Sequence, residues 1–120
     1  MAITQLSASQ LSGLIASREV SCREVAQSFL DRIDRVDAQY GAFLRVDHNG
    51  ALAAAEHAQS LIDAGKGGPL TGVPIALKDN MSTSGLETTC ASKILKGYVP
   101  PFDATVVAKL REQGLPILGK

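Results

Sequence analysis

Val73-Pro74-Ile75-Ala76-Leu77-Lys78-Asp79 is a short, nearly continuous apolar run closed by two ionisable residues. A run of this kind reads as a strand buried on both faces of a parallel sheet, with Pro74 tolerated near its start. A second such run, Leu115-Pro116-Ile117-Leu118, lies downstream. Between them comes a polar, Gly- and Thr-rich excursion from Asn80 to Pro101, then a helix predicted over Ala104 to Gln113. Asp103 is expected to cap that helix, Val106, Val107 and Leu110 to form its inner face, and Gly114 to stop it. Strand, crossover helix and strand imply a right-handed βαβ connection and therefore an α/β fold.

Upstream of the run, Gly65-Lys66-Gly67-Gly68-Pro69-Leu70-Thr71-Gly72 is a loop. It follows a helix and precedes a strand, the reverse of the order a phosphate-binding GxxxxGK[ST] loop requires, so it reads as a flexible connection. Residues 1–64 carry leading helices. Ser7 and Gln10 have capping-box spacing with Leu6 and Leu11 as a hydrophobic staple; Ser21 and Glu24 repeat the device with Val20 and Val25. The second helix places Cys22, Val25, Ala26, Phe29, Ile33, Val36 and Tyr40 on one apolar stripe, which means packing. Ala42 to Val46 reads as a short strand, and Asp47 or Asn49 then caps an alanine-rich helix through Ile62 that stops at Gly65. The expected organisation is thus 1–64 leading helices with one short strand, 65–72 a Gly-rich loop, and 73–120 the βαβ segment.

Composition narrows the function. Among 120 residues, 45% are hydrophobic and 12 basic side chains balance 12 acidic ones. Zero net charge without a basic run argues against a phosphate-dominated nucleic-acid binder, and the apolar share argues against disorder. With 4% aromatic residues, the core must be aliphatic. Cys22 and Cys90 show no CxxC spacing and no accompanying His cluster, so no metal site or disulfide framework is indicated and both read as buried reduced thiols. His48 and His57 lack a partner at ligand spacing and read as surface residues. No apolar run approaches the ~20 residues of a membrane span, and the amino terminus lacks a signal-peptide pattern, so a cytoplasmic location is expected, organellar if the source is eukaryotic.

Lys78 and Asp79 stand at the carboxyl end of a parallel strand, where open α/β sheets build their sites. Alternation sends their side chains to opposite faces, so Lys78 shares a face with small Ala76 and needs a partner other than Asp79. A lysine desolvated there becomes a general base for a serine hydroxyl; one that snorkels into water does not.

The stretch Gly72 to Asn80 resembles the lysine motif of the amidase signature family. Gly85-Leu86-Glu87-Thr88-Thr89-Cys90-Ala91-Ser92, Pro101-Phe102-Asp103-Ala104-Thr105-Val106-Val107 and Gly114-Leu115-Pro116-Ile117-Leu118-Gly119-Lys120 extend the resemblance in order and spacing, as does Phe29 to Leu44. What the resemblance implies is concrete. Lys78 would be the catalytic base of a Ser-Ser-Lys triad, acting through a bridging serine on a nucleophilic serine. The Asp79-Asn80 pair and the Leu86 to Ser92 stretch point to the family branch that hydrolyses glutamine. That branch hands ammonia to an assembly with two other subunits, one of which uses ATP and magnesium to amidate misacylated tRNA. Glutamine would be the small-molecule substrate; no cofactor or metal is implied for this chain itself, and tRNA would be reached only through the complex. A stand-alone amidase, or an interaction module without catalysis, are the alternatives.

Ser82, Ser84 and Ser92 match no nucleophile position in that pattern. Gly114 to Lys120 spells GxxxxGK, but the strand occupies the space between the glycines and the Ser/Thr is missing, so it is a chance match. Leu115 to Leu118 reads as an internal strand with no following element to cover it. The 120 residues are therefore expected to be the amino-terminal part of a longer enzyme, inactive alone.

Overall fold

The computed structural model describes residues 2–120. Its elements are α1 (Ala8–Ala16), α2 (Cys22–Tyr40), α3 (His48–Asp63), β1 (Ile75–Ala76), α4 (Thr105–Glu112) and β2 (Ile117–Gly119), with short 3-10 turns at Ile3–Gln5 and Lys93–Leu95. β1 and β2 pair in parallel, Ile75 opposite Ile117 and Ala76 opposite Gly119, with α4 between them in sequence. The α/β frame is the expected one.

Both capping boxes form. Ser7 accepts from the Gln10 amide and Ser21 from the Glu24 amide, while the Gln10 and Glu24 side chains accept from the amides of Ser7 and Ser21. Helix α2 begins at this box and places Cys22, Val25, Ala26 and Leu30 in the core, so its first turn is a stability determinant. Ser21→Ala is expected to lower the unfolding free energy by ~1 kcal/mol, read as an earlier denaturant midpoint. Asp47, not Asn49, caps α3.

β2 is sandwiched. On one side Leu118 packs with Leu30 of α2 and Ala51 of α3; on the other Ile117 packs with Leu77 and Val107 of α4. β2 is accordingly buried throughout, as its continuous apolar run requires. A larger cluster, Leu11, Ile15, Cys22, Val25, Ala26, Ala55, Ala58 and Val73, joins α1, α2 and α3 to the approach to β1. The α3 alanines are what allow that helix to lie close to its neighbours. The inner row of α2 runs through Leu30 rather than continuing to Tyr40, which is 74% exposed.

Several expectations are corrected. β1 is not buried on both faces: Val73 and Leu77 are inside, but Ala76 is exposed, because no element covers that side of the strand. Residues 42–46 form no strand. They run along the free edge of β2, with one antiparallel bridge from Val46 to Gly119. The Leu44 and Arg45 amides donate to Lys120 O, and the Lys120 amide returns a bond to Arg45 O. Glycine is required at 119, since a Cβ there would run into Arg45 O and the Val46 backbone.

Asp103 does not cap α4. Ala104 holds that position, while Asp103 accepts from the Ser84 amide at 2.7 Å and pairs with Arg111 at 3.2 Å, clamping the excursion to the helix. The Gly-rich loop is tethered as well as flexible in composition: Ser12 donates to Pro69 O, Thr71 Oγ1 donates to Gln113 O, and the Gly72 amide donates to Gly114 O. Gly72 has φ +86°, and a side chain there would meet the Cys22 thiol.

Candidate functional site

The carboxyl end of β1 opens onto a cavity of about 290 Å³. Leu77, Lys78 and Asn80 form one wall, Leu44 another, and Cys90 and Lys120 complete it. Lys78 is exposed here, and among the described residues its amine takes part in no hydrogen bond or ion pair. The alternation expected from the sequence holds: Ala76 and Lys78 face outward, Leu77 and Asp79 inward. The expected desolvation of Lys78 is not a feature of this structure, because the outer face of β1 lies open.

Asp79 is treated in the opposite way. It is 7% exposed, and both of its carboxylate oxygens are engaged. Oδ1 meets Arg45 Nη1 at 2.5 Å and lies 3.6 Å from Lys120 Nζ. Oδ2 accepts from the Thr89 amide at 3.0 Å and from Thr89 Oγ1 at 2.7 Å. Burial alone would push this carboxyl up. The hydrogen bonds from Arg45 and Thr89, with the Arg45 charge, outweigh it and hold Asp79 well below the usual carboxylate range. Its backbone carbonyl also accepts from the Cys90 amide at 2.9 Å, so one residue ties the strand end to the 88–90 loop twice.

Lys120 is the buried lysine of the structure, its side chain 0% exposed. Nζ contacts Met81 O at 2.6 Å, Thr83 Oγ1 at 2.9 Å and Thr88 Oγ1 at 2.6 Å. The two threonine hydroxyls already donate to Met81 O and Leu86 O, so each turns a lone pair toward Lys120. Three acceptors then face three protons, which defines an ammonium. Burial pushes the amine down from its ordinary value while Asp79 pulls it back up. With every proton committed, Lys120 has no lone pair to offer as a base. Lys78 is the lysine at the cavity whose side chain has no partner among the described residues.

Sequence reasoning placed Lys78 at the strand end, on the face opposite Asp79, as found, and expected it to have another partner, which is absent among the described residues; it missed Arg45, Thr89 and Lys120. The signal for Lys120 was present: it stands at the carboxyl end of β2 just as Lys78 and Asp79 stand at that of β1. Arg45 carried no local signal, since its partners are far along the chain. Cys22 is buried, as expected, and burial pushes its thiol up. Cys90 is exposed, contrary to expectation, because Cys90 and Ala91 both take positive φ, 53° and 56°, in a turn at the cavity rim. His48 and His57 lie on the surface, His48 paired with Asp34 at 2.9 Å.

A second cavity, about 200 Å³, lies between α3 and α4 beside His57 and Arg111. Its charged groups are spent on structure: Asp47 caps α3 and Arg111 holds Asp103 and Ser84 O. Among the described residues no three His, Cys, Asp or Glu side chains converge as metal ligands, and no helix is long and apolar enough to cross a membrane.

A parallel strand that ends in an unpaired lysine, over a locked aspartate and against an open cavity, defines an α/β scaffold with a cavity at the sheet's carboxyl edge, where folds of this class build their sites. The chain belongs to the amidase family, whose model matches residues 24–120.

Among curated proteins it is 54% identical over 112 residues to a glutamyl-tRNA(Gln) amidotransferase subunit of Acidothermus cellulolyticus, covering 92% of this chain and 22% of that one. It is 49% identical over 120 residues to the protein of the same name from Geobacter sulfurreducens, covering 100% and 25%. Among solved structures, the peptide amidase of Stenotrophomonas maltophilia superposes with a TM-score of 0.89 at 30% identity over 95% of this chain and 24% of that chain. A fatty acid amide hydrolase does so at 0.89 and 28% identity, over 98% and 21%. The chain thus spans about a quarter of the length of the proteins it matches.

Proposed function

We propose that these 120 residues are the amino-terminal part of an amidotransferase subunit that hydrolyses glutamine, with Lys78 as the base of a Ser-Ser-Lys triad. The serines would come from chain beyond these residues. The observation that carries the reading is the placement of Lys78: it stands unpaired on the open face of the strand end, at the cavity, where the serines would meet it and exclude water from its amine, whereas Lys120 has every proton committed. The amidotransferase names borne by relatives at about half identity over nearly the whole chain support glutamine as the amide.

In the proposed reaction the Lys78 amine takes a proton from the bridging serine, which takes one from the nucleophilic serine. The serine oxygen attacks the side-chain amide carbon of glutamine. The C–N bond breaks, the nitrogen recovers the proton, and ammonia leaves an acyl-enzyme. Water then attacks the ester, the Lys78 relay again holding the transferred proton, to release glutamate. In the assembled enzyme the ammonia would pass to one of two other subunits, where ATP and magnesium activate the misacylated tRNA for amidation. This chain would touch neither nucleotide nor tRNA.

The solved amidases that superpose on this chain support a second reading, a stand-alone amidase. A substrate panel separates the two. The full-length protein, alone and with the two partner subunits, is expected to release ammonia from glutamine and to leave peptide amides and fatty acid amides intact. Hydrolysis of those amides with none of glutamine would overturn the glutaminase reading.

A further inference from the structure

We propose that the buried Arg45–Asp79–Lys120 cluster is a positioning device that aims Lys78 into the cavity, an inference that rests on the reading of Lys78 as the base. Asp79 follows Lys78 directly, and strand alternation couples their directions: the side on which the Asp79 carboxylate is held decides the side on which the lysine stands. Four groups hold it, Arg45, Lys120, the Thr89 amide and the Thr89 hydroxyl.

The cluster also fixes the chain on both sides of the strand end. Lys120 reaches Met81 O and Thr83 Oγ1, just after Lys78, and Thr88 Oγ1 on the loop that forms the far rim. The backbone of the same Lys120 binds the amides of Leu44 and Arg45, on the opposite wall. Residues 44–45, 79–83, 88–90 and 120 are therefore tied together, and Lys78 is the charged member of the cavity wall whose side chain is left outside the network. Among the described residues no buried side-chain polar atom lacks a partner, so the network has no internal slack.

Stability alone does not require this arrangement. Burying an ion cluster contributes little net free energy compared with a well-packed apolar substitute, whereas a fixed constellation of charges specifies direction. These residues touch no reacting atom in the proposed reaction; their effect on it passes through Lys78, as outer partners orient the groups that do the chemistry.

The test uses the full-length protein and variants that keep the charges but move the anchor. Asp79→Glu lengthens the carboxylate arm, and Lys120→Arg cannot place its protons on the same three oxygens. Each is expected to lower kcat for glutamine hydrolysis by ~10- to 100-fold at a nearly unchanged KM, a loss larger than any fall in the folded fraction accounts for. Thr89→Val removes one bond to Asp79 and alters no charge; it decides the case if the charged variants do not fold, with a several-fold lower kcat expected. Wild-type kcat in the folded variants, or a loss that only follows the unfolded fraction, overturns the inference. Lys78→Ala is measured in parallel. If it is inactive while the anchor variants keep wild-type kcat, positioning fails and the base stands; if it is fully active, both fail.

Discussion

Lys78→Ala in the full-length protein is expected to lower kcat for glutamine hydrolysis by ~10²- to 10⁴-fold, the range that a positioned general base contributes. The melting temperature should stay within a degree or so of wild type, because Lys78 is exposed and forms no hydrogen bond or ion pair among the described residues; surface substitutions of that kind change stability by ~0.5 kcal/mol or less. KM should change little, since the amine acts on serine and leaves the grip on substrate to other groups. Steady-state ammonia release with a thermal melt checks all three. Wild-type turnover in a folded variant would remove Lys78 from the mechanism.

Asp79→Ala should produce the opposite pattern, a loss of the fold itself. It leaves the Arg45 guanidinium and the Lys120 ammonium without the carboxylate between them, the Lys120 side chain being 0% exposed. Removing one partner from a buried ion cluster costs ~3–5 kcal/mol because the remaining charge is stranded, a large part of the stability of an ordinary domain. A fall in melting temperature of several degrees or more is expected, along with increased aggregation. A variant that melts like wild type would show that water reaches these cations. The same pairing sets an acid limit. Asp79 is held below its ordinary range in the folded state, so the unfolded chain binds the extra proton and stability rises with pH there. The contribution is complete above the unfolded carboxyl value of ~3.9 and is lost as pH falls below it. Asp79→Asn should flatten that part of the pH–stability profile.

Much of the scaffold was legible because its signals are local. The two capping boxes, the Asp47 cap and the glycine stops need only residues three or four apart, and each forms as spaced. The two apolar runs flanking a helix sufficed for a parallel βαβ unit. Asp103 shows where local reading stops. Its spacing suits a cap, but Ser84 and Arg111, distant along the chain, offer it a bond and a charge that a cap cannot match. The same holds for residues 42–46, which read as a short strand; the edge of β2 engages only part of them.

By itself, then, the sequence determined the order of the helices and of the two paired runs, and the placement of Lys78 and Asp79 on opposite faces of their strand, since these depend on periodicities of two and 3.6 residues that any stretch of chain carries with it. Tertiary structure alone decided which lysine is buried and which is free. Lys78 and Lys120 both follow strands and look alike in sequence. Lys120 ends the covered strand, where Thr83, Thr88, Met81 and Asp79 converge from distant positions to hold an ammonium, and Lys78 ends the strand whose outer face is open. A charge enters a protein interior only where enough oxygens meet it, and that meeting is a property of the folded chain.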